Sequence, residues 1–490
     1  MLKSKYKILL INPGFEFESG NFYLMEPIGL LYISSYLKKK LSDSVDVNII
    51  DAVSETGVKK KINHYQYGLT IHEIADKVNE INPDMVGLTN MFSMRKSEMF
   101  RLAEIIKKKN KEIKITVGGI YPTIFPELTL KSEYIDYLII GEGEESFAQL
   151  IKNIINNSPL NNIDGIGYKQ NKNIVINPKS IFINNLDEIP FPDRESINFN
   201  FYNNYKMKLY GLGFKRKASI ITSRSCPNRC SFCSMYLSHG PKWRSRSAEN
   251  VVDEILYLKK HFLIDELFVM DDNFSFDKNR TIQICEKIIK QNIKIKWNTP
   301  NGLSAKTLDL ETLQIMKKSG CHRICIAIES GDSYIRNKII GKGISDEKIK
   351  EVVENANKAG LSIFAYYIIG MPGETEESFN KTISQIKELK LNGVATSFAT
   401  PLAGTKLFDE CVKNNYFIKN ELCDSKFNIP IIETPDFNRA DLIRREKIFY
   451  FEFLKAHFFK IIIDAFLKKN DLLNFTFLKR IFYDKLLKFK

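Results

Sequence analysis

Over the first 155 or so residues, short apolar runs alternate with longer segments whose apolar positions recur every three or four residues. The runs predict strands at 7–12, 45–51, 85–90, 113–118 and 137–141, and the longer segments predict helices at 27–40, 71–81, 95–110 and 144–156. Strands alternating with helices pair in parallel, which implies a Rossmann-like, doubly wound α/β sheet. Four strand ends run into small or polar residues: Pro13-Gly14, Thr89-Asn90, Gly118-Gly119 and Gly141-Glu142-Gly143-Glu144. Ligands of such sheets bind beyond the carboxyl ends of the strands, and glycine lets them approach the backbone. Each of these ends alone reads equally well as a tight strand-to-helix turn. Four together favour a cleft facing a large ligand.

Residues 156–215 are rich in Asn, Ile and Pro, with one strand-like patch at 165–168, and read as a linker. A second alternating series follows. Its strands are expected at 219–223, 266–270, 293–298, 322–328, 362–369 and 394–400, with helices at 249–261, 277–291, 309–318, 345–359 and 376–391. Six such units close naturally into a partial (β/α)6 TIM-like barrel, whose chemistry comes from the loops after the strands. Those loops hold Cys226 to Cys233, Asp271-Asp272-Asn273, Glu329-Ser330-Gly331 and Gly370-Met371-Pro372-Gly373-Glu374. The expected organisation is a first domain over 1–155, the linker, a barrel over 216–410 and a helical C-terminal segment over 411–490.

At 490 residues the chain needs two or three cores, and its 44% hydrophobic and 27% charged residues are ordinary globular values. The opening residues do not pattern as a signal peptide, and no stretch reaches the roughly 18 apolar residues of a spanning helix. A cytoplasmic protein, soluble or membrane-peripheral, is expected. The net charge is +14, and residues 443–490 contribute 12 Lys or Arg against 5 Asp or Glu. Phe458, Phe459, Phe466, Phe475, Phe477 and Phe482 lie in the same segment. It reads either as a helical cap with its aromatics packed on the barrel, or as an amphipathic surface that touches anionic lipid or presents a lipid-like substrate. Nucleic acid is not an expected partner, since no binding motif accompanies the charge.

The eight cysteines are unevenly placed: none precedes Cys226, and three fall within eight residues. In a long chain without a secretion signal that spacing points to metal or redox chemistry rather than disulfides. The C-x3-C-x2-C run of Cys226, Cys230 and Cys233 supplies three thiolates, which suit the soft iron of a 4Fe–4S cubane and leave one iron open. Zinc is the metal alternative, with His239 as the local fourth ligand; uncoordinated thiols are the other. Cys321 and Cys325 share one face of an expected strand and read as core thiols.

With Phe232 just before its last cysteine, the triad resembles the radical S-adenosylmethionine (SAM) superfamily. The runs Lys242-Trp243-Arg244-Ser245-Arg246-Ser247, Gly118-Gly119-Ile120-Tyr121-Pro122, Gly141-Glu142-Gly143-Glu144 and Ile189-Pro190-Phe191-Pro192-Asp193-Arg194 resemble its subgroup with an N-terminal cobalamin-binding domain. So do Glu329-Ser330-Gly331 and Gly370-Met371-Pro372-Gly373-Glu374-Thr375; the likeness spans residues 1 to about 410. It implies that Cys226, Cys230 and Cys233 hold the cluster and that its open iron chelates SAM. It places Asp272 and Asn273 at the methionine amino group, unless Asn273 or Asp277 simply caps the next helix. Glu329 and Ser330 fall at the ribose or methionine end, with a buried ion pair as the plainer reading of Glu329. Gly370 and Met371 fall beside the adenine. Thr89, Gly118, Gly119, Tyr121, Gly141 and Glu142 are the implied cobalamin contacts. The first strand ends Asn12-Pro13-Gly14, without the D-x-H-x-x-G that puts a histidine under cobalt, so cobalamin is expected without a protein His ligand; His261, His322 and His457 read as structural.

The function implied is a cobalamin-dependent methyltransferase acting on an unactivated carbon through a 5′-deoxyadenosyl radical, with a small-molecule or lipid-like substrate and an external electron donor such as flavodoxin or ferredoxin. A radical oxidative cyclase or carbon–carbon coupling enzyme shares every motif named. A non-catalytic iron–sulfur electron carrier or cobalamin sensor is the reading from another class, disfavoured by an open cluster at a barrel mouth.

Overall fold

The computed structural model describes residues 5–17, 24–62, 64–90, 95–171, 173–204, 216–418 and 429–467. The chain divides into two compact units, Met1–Asn204 with Met235–Pro241, and Tyr205–Ser234 with Lys242–Lys490.

The first unit is built on a seven-stranded sheet. Its strands are β1 (Tyr6–Asn12), β2 (Val45–Asp51), β3 (Met85–Asn90), β4 (Lys114–Gly119), β5 (Tyr137–Ile139), β6 (Ile166–Gln170) and β7 (Asn173–Asn177). They lie in the order β7-β6-β5-β4-β3-β1-β2, with β2 through β5 parallel and the last two antiparallel. From β1 the chain winds first to β2 and then back to β3, so strand order reverses between β1 and β3. Ile8, Leu9, Leu10 and Ile11 are each at most 1% exposed, as a parallel strand covered on both faces requires. Helix Ile71–Ile81 shows how local sequence sets its bounds. Thr70 and Glu73 form a reciprocal capping box, Ile74, Ala75 and Val78 face the core, and Asn82 ends the helix in the left-handed region at φ 47°.

The stretch expected as a linker contributes β6 and β7 to the sheet, and Arg194 within it is fully buried. Asp193 accepts from Ser34 Oγ at 2.6 Å and from Lys38 Nζ at 2.7 Å. An Asn-rich antiparallel hairpin at a sheet edge carries little hydrophobic signal, which is why composition alone suggests a tether. A small three-stranded sheet (Phe15–Phe17, Val58–Lys60, Tyr65–Tyr67) was likewise too short to read by alternation.

The second unit is a six-stranded parallel sheet in simple chain order. Its strands are β8 (Lys217–Ile220), β9 (Glu266–Val269), β10 (Lys296–Leu303), β11 (Cys321–Glu329), β12 (Ser362–Ile369) and β13 (Gly393–Phe398). This is the partial barrel the alternation predicts. Helices Ala248–Phe262, Lys278–Lys290, Leu310–Lys318, Asp346–Lys358 and Glu376–Glu388 connect the strands. Each begins at a Ser, Thr or Asp whose side chain accepts a first-turn N–H, a bond that fixes where the helix starts. Asp277, not Asn273, caps the second of them. Cys321 and Cys325 are buried core thiols whose pKa burial raises. His322 pairs with Glu266, and His457 with the carbonyl of Ile386, so both are structural.

Helix Arg439–Leu467 packs on the open side of the barrel. Phe449, Tyr450 and Phe453 are buried, Tyr450 OH accepts from Thr396 N–H on edge strand β13 at 3.1 Å, and Phe449 meets the Tyr367 ring edge-on. An edge strand covered by a helix cannot template further pairing. Of the described aromatics in this helix, Phe449, Tyr450 and Phe453 pack as a cap on the barrel, while Phe451 and Phe458 are 55% and 50% exposed. The side chains of Phe459 and Phe466, and all of Phe475, Phe477 and Phe482, lie outside the described residues. Among the described residues no helix is long and apolar enough to cross a membrane.

Two glycines test the barrel's turns. Gly320 has φ +108°, and a Cβ there would stand 2.0 Å from the Ile295 carbonyl oxygen; Gly360 has φ +73° and meets only the Lys317 side chain, at 3.8 Å. Gly360→Ala should cost about 1–2 kcal/mol, the left-handed penalty alone, whereas Gly320→Ala should cost distinctly more because backbone must move. Urea unfolding followed by circular dichroism gives the comparison; equal losses would contradict it.

Candidate functional site

In the barrel unit the cysteine loop leaves β8 and is closed at its base by a two-stranded ribbon, Ser223–Arg224 with Arg244–Ser245. A buried carboxylate at the end of β9 holds that base. Asp271 accepts from Thr222 N–H at 2.6 Å, from Thr222 Oγ1 at 2.5 Å and from Ser223 Oγ at 2.6 Å. Burial raises its pKa, and Arg280 and these donors pull the other way. The neighbouring Asp272 accepts from Ser225 N–H at 2.9 Å, where Ser225 sits at φ +70°, an unusual conformation for a residue with a Cβ. The loop is tied on its far side as well: Ser231 N–H donates to the Ile340 carbonyl, and its own carbonyl accepts from Leu407 N–H, both at 2.9 Å.

Asn273 is 2% exposed and points its amide nitrogen at Cys226 Sγ, 3.9 Å away, while its Oδ1 is buried with no hydrogen-bond partner. A buried orphan acceptor costs free energy unless something donates to it. Cys226 and Cys233 are partly exposed and Cys230 is buried. Burial raises the Cys226 and Cys230 pKa values, and Lys342 works against that at both thiols. Among the described residues no three His, Cys, Asp or Glu groups converge on one point as a single ion requires. Three thiols spread along one loop suit a cluster that offers a separate iron to each.

The other strand ends meet this loop. Glu329, at the end of β11, has φ +71° and is 6% exposed, and Lys342 Nζ donates to its Oε1 at 2.8 Å. Burial would lower the Lys342 pKa, yet Glu329 and the thiols of Cys230 and Cys226 hold it above its ordinary value. The ion pair expected as the plainer reading of Glu329 is therefore present, and it sets a cation within electrostatic reach of the thiols. Sequence reading missed Lys342, whose only signal is the Gly341-Lys342-Gly343 turn. Ser330 faces elsewhere: its Oγ meets Thr382 Oγ1 and accepts from Asp332 N–H. Met371 is buried in one apolar cluster with Cys230, Ile335, Ile340 and Ile368, against which Phe232 and Cys233 pack partly buried.

In the first unit a small cavity opens where strand order reverses, lined by Asn12, Pro13, Gly14, Thr89, Asn90, Arg95, Glu98 and Met99. Asn12 is oriented by Asp51 at 2.7 Å, and Asn90 Oδ1 is buried without a partner. The Arg95 guanidinium lies over the Phe15 ring, 3.4 Å from its centroid, and burial lowers its pKa to about 10. Thr89 and Asn90 pair with Gly118 and Gly119, and a Cβ on Gly119 would come within 2.3 Å of the Asn90 carbonyl oxygen. Gly141 N–H donates to Thr123 Oγ1 at 2.9 Å, its φ is +68°, and Ser238 and Lys179 cover it; Glu142 beside it is buried. Of the predicted contacts Thr89 lines the cavity, whereas Gly118, Gly119, Gly141, Glu142 and Tyr121 do not; Tyr121 packs elsewhere. It is buried among Phe100 and Phe125. The glycine edge and orphan acceptor fit a large polar ligand, and Asn12, Asn90 and Arg95 join the predicted set only through the sheet's topology.

A protein-family model described as the radical SAM superfamily matches residues 220–386, and one described as the B12-binding domain matches residues 22–151. An uncharacterized methyltransferase of Pyrococcus horikoshii, PH0819, is 32% identical over 393 residues, covering 80% of each chain. The chain belongs to the radical SAM superfamily. It carries the B12-binding domain of the cobalamin-dependent subgroup, and its cofactors are a 4Fe–4S cluster, SAM and cobalamin. The cytidylyl-2-hydroxyethylphosphonate methyltransferase of Streptomyces wedmorensis is 27% identical over 446 residues, covering 84% of this chain and 82% of that one. The fold is that of the cobalamin-dependent SAM radical enzyme OxsB, with TM-score 0.73 at 19% identity over 97% of this chain and 71% of that one.

The radical SAM unit yields two tests of its mouth. Asp271→Ala strands three donors, so it should destabilise that unit by about 3 kcal/mol at roughly 1 kcal/mol per bond. Iron and sulfide bound after anaerobic reconstitution should fall with it; full cluster loading at unchanged stability would show the loop is held otherwise. Lys342→Met should cost about 3–5 kcal/mol by leaving Glu329 buried and unpaired. Glu329→Gln in the same chain should recover most of that loss in urea unfolding, and no recovery would mean the pair is not the reason.

Proposed function

We propose that this radical SAM enzyme is a cobalamin-dependent methyltransferase acting on an unactivated carbon of a small molecule. The observation that carries the reading is a thiol loop, an orphaned acceptor, a buried cation and an apolar turn gathered at one barrel mouth, in a chain with a B12-binding domain. Cys226, Cys230 and Cys233 hold the cluster. Asn273 Oδ1 receives the methionine amino group, and Asp272 fixes the loop that presents Cys226. Lys342, charged and paired with Glu329, faces the negative end of the methionine or the thiolates themselves. Gly370 and Met371 form the bed for the adenine, and Phe232 helps keep water from Cys230. Thr89, Gly118, Gly119, Gly141 and Glu142, with Asn12 and Asn90, hold the cobalamin; Tyr121 and Ser330 support these surfaces from behind.

When bound, the cluster supplies the electron that opens SAM to a 5′-deoxyadenosyl radical, and cobalamin supplies the methyl group. The chain's own part is orientation and exclusion of water, the usual division of labour in cofactor enzymes. Methyl transfer is favoured by the methyltransferases among the relatives, two of them 32% and 27% identical to this chain. An external flavodoxin or ferredoxin in the cytoplasm provides the electron.

Anaerobic reconstitution with cobalamin and a chemical reductant, followed by mass spectrometry of SAM products, tests the reading. Methyl transfer predicts S-adenosylhomocysteine together with 5′-deoxyadenosine. Deoxyadenosine alone would point to cyclisation or coupling, and neither product would end the proposal. Cys230→Ala should keep the circular dichroism of the parent protein while deoxyadenosine falls at least about a hundredfold, loss of the radical step removing several kcal/mol of catalysis.

A further inference from the structure

The turn that follows β12 is held by a residue far along the chain. Gly370 has φ +86°, and its N–H donates to Glu374 Oε1 at 3.3 Å, while Glu374 N–H closes the turn on the Met371 carbonyl at 2.9 Å. The same Oε1 accepts from Arg445 NH1 at 3.0 Å, across 71 positions of sequence. Arg445 and Glu374 are each 2% exposed. The guanidinium also reaches the Glu374 carbonyl at 3.4 Å and Glu376 Oε2 at 3.3 Å, and it lies over the rings of Phe379 and Phe437 at 5.5 and 5.8 Å. One helical turn earlier, Leu442 covers Gly370 so closely that a Cβ there would meet its Cδ1 at 2.8 Å. The C-terminal helix therefore roofs this turn and binds it through one carboxylate.

The chemistry of that carboxylate makes the link more than packing. A buried Glu is driven toward its neutral form, and burial pushes Glu374 up to about 7 against the pull of Arg445. Arg445 supplies a rigid fork of donors that satisfies Glu374 and Glu376 together. Without it, Glu374 would have reason to leave the interior, and the Gly370 N–H would lose its acceptor. Met371, next in the turn, shares its apolar cluster with Cys230, so a displaced turn would alter the floor beside the cluster loop.

We infer that Arg445 is a positioning residue for SAM: acting through Glu374, the C-terminal helix fixes the Gly370–Met371 turn in the shape that receives the adenine. This rests on the reading of that turn as the adenine bed. Binding can be followed without turnover in the cluster-loaded enzyme, using SAM and free methionine, which lacks the adenine, as the two probes. Arg445→Met should weaken SAM about tenfold, the worth of one buried charge-assisted bond, and leave methionine affinity within about twofold. Arg445→Lys, keeping the charge without the fork, should fall between.

Hydrogen exchange of the unsubstituted enzyme separates the two ideas. Protection of the amides of Gly370, Met371, Gly373 and Glu374 on adding SAM is expected; its absence would remove the adenine bed itself. Protection with unchanged SAM affinity in Arg445→Met would overturn the clamp alone, as would equal weakening of SAM and methionine, which is what general loosening gives. Should Arg445→Met fail to fold, Glu374→Gln/Arg445→Met removes the stranded carboxylate. That double variant should fold and still bind SAM weakly, whereas parental affinity in it would overturn the inference.

Discussion

The barrel mouth hangs on the Asp271 carboxylate, which is buried at the end of β9 and accepts three hydrogen bonds from the first residues of the cysteine loop. A loop of small and polar residues has no core of its own, so something must offset the entropy of holding it in one shape. A carboxylate withdrawn from water is suited to that, because its alternatives to these donors are poor. Asp272 adds a bond at Ser225, where the backbone takes a left-handed turn it would not choose alone. The thiols inherit their direction from these contacts.

Two further carboxylates repeat the device around the mouth. Glu329 is strained at φ +71° and answered by Lys342; Glu374 grips the Gly370 amide and is answered by Arg445. Each cation comes from a later segment than the acid it serves, so the pairs tie the mouth to the loop at 342 and to the C-terminal helix. Buried pairs of this kind are a weak source of net stability, since desolvation offsets much of the attraction. Their effect here is to specify geometry: a strand end that could adopt several turns is left with one.

In the first unit the same end is reached with less charge. Gly119 permits a backbone approach to Asn90 that any side chain would block, and Asn90 Oδ1 is buried there without a partner. The cavity sits where strand order reverses, the place a doubly wound sheet cannot fill with its own helices. At both candidate sites a buried side-chain acceptor, Asn90 Oδ1 and Asn273 Oδ1, has no partner in the structure, and in the proposed reading the ligand supplies the donor.

Alternation of apolar runs was enough to place the parallel strands and connecting helices, because strand and helix periodicities and Ser, Thr or Asp caps are local properties. Spacing of Cys226, Cys230 and Cys233 likewise singles out a candidate donor set, because it is a property of one short segment. Other features were decided by packing. Ser330 and Tyr121 lie beside motif glycines in sequence yet turn inward, since their neighbours Thr382, Phe100 and Phe125 come from other elements. Lys342 and Arg445 carry no motif, and each finds its carboxylate only through the fold. The stretch after residue 156 became sheet because a hairpin edge is stabilised by its neighbour strand rather than by its own pattern. A linear chain records what each segment prefers; which charges face each other in the interior depends on contacts between segments that no local preference encodes.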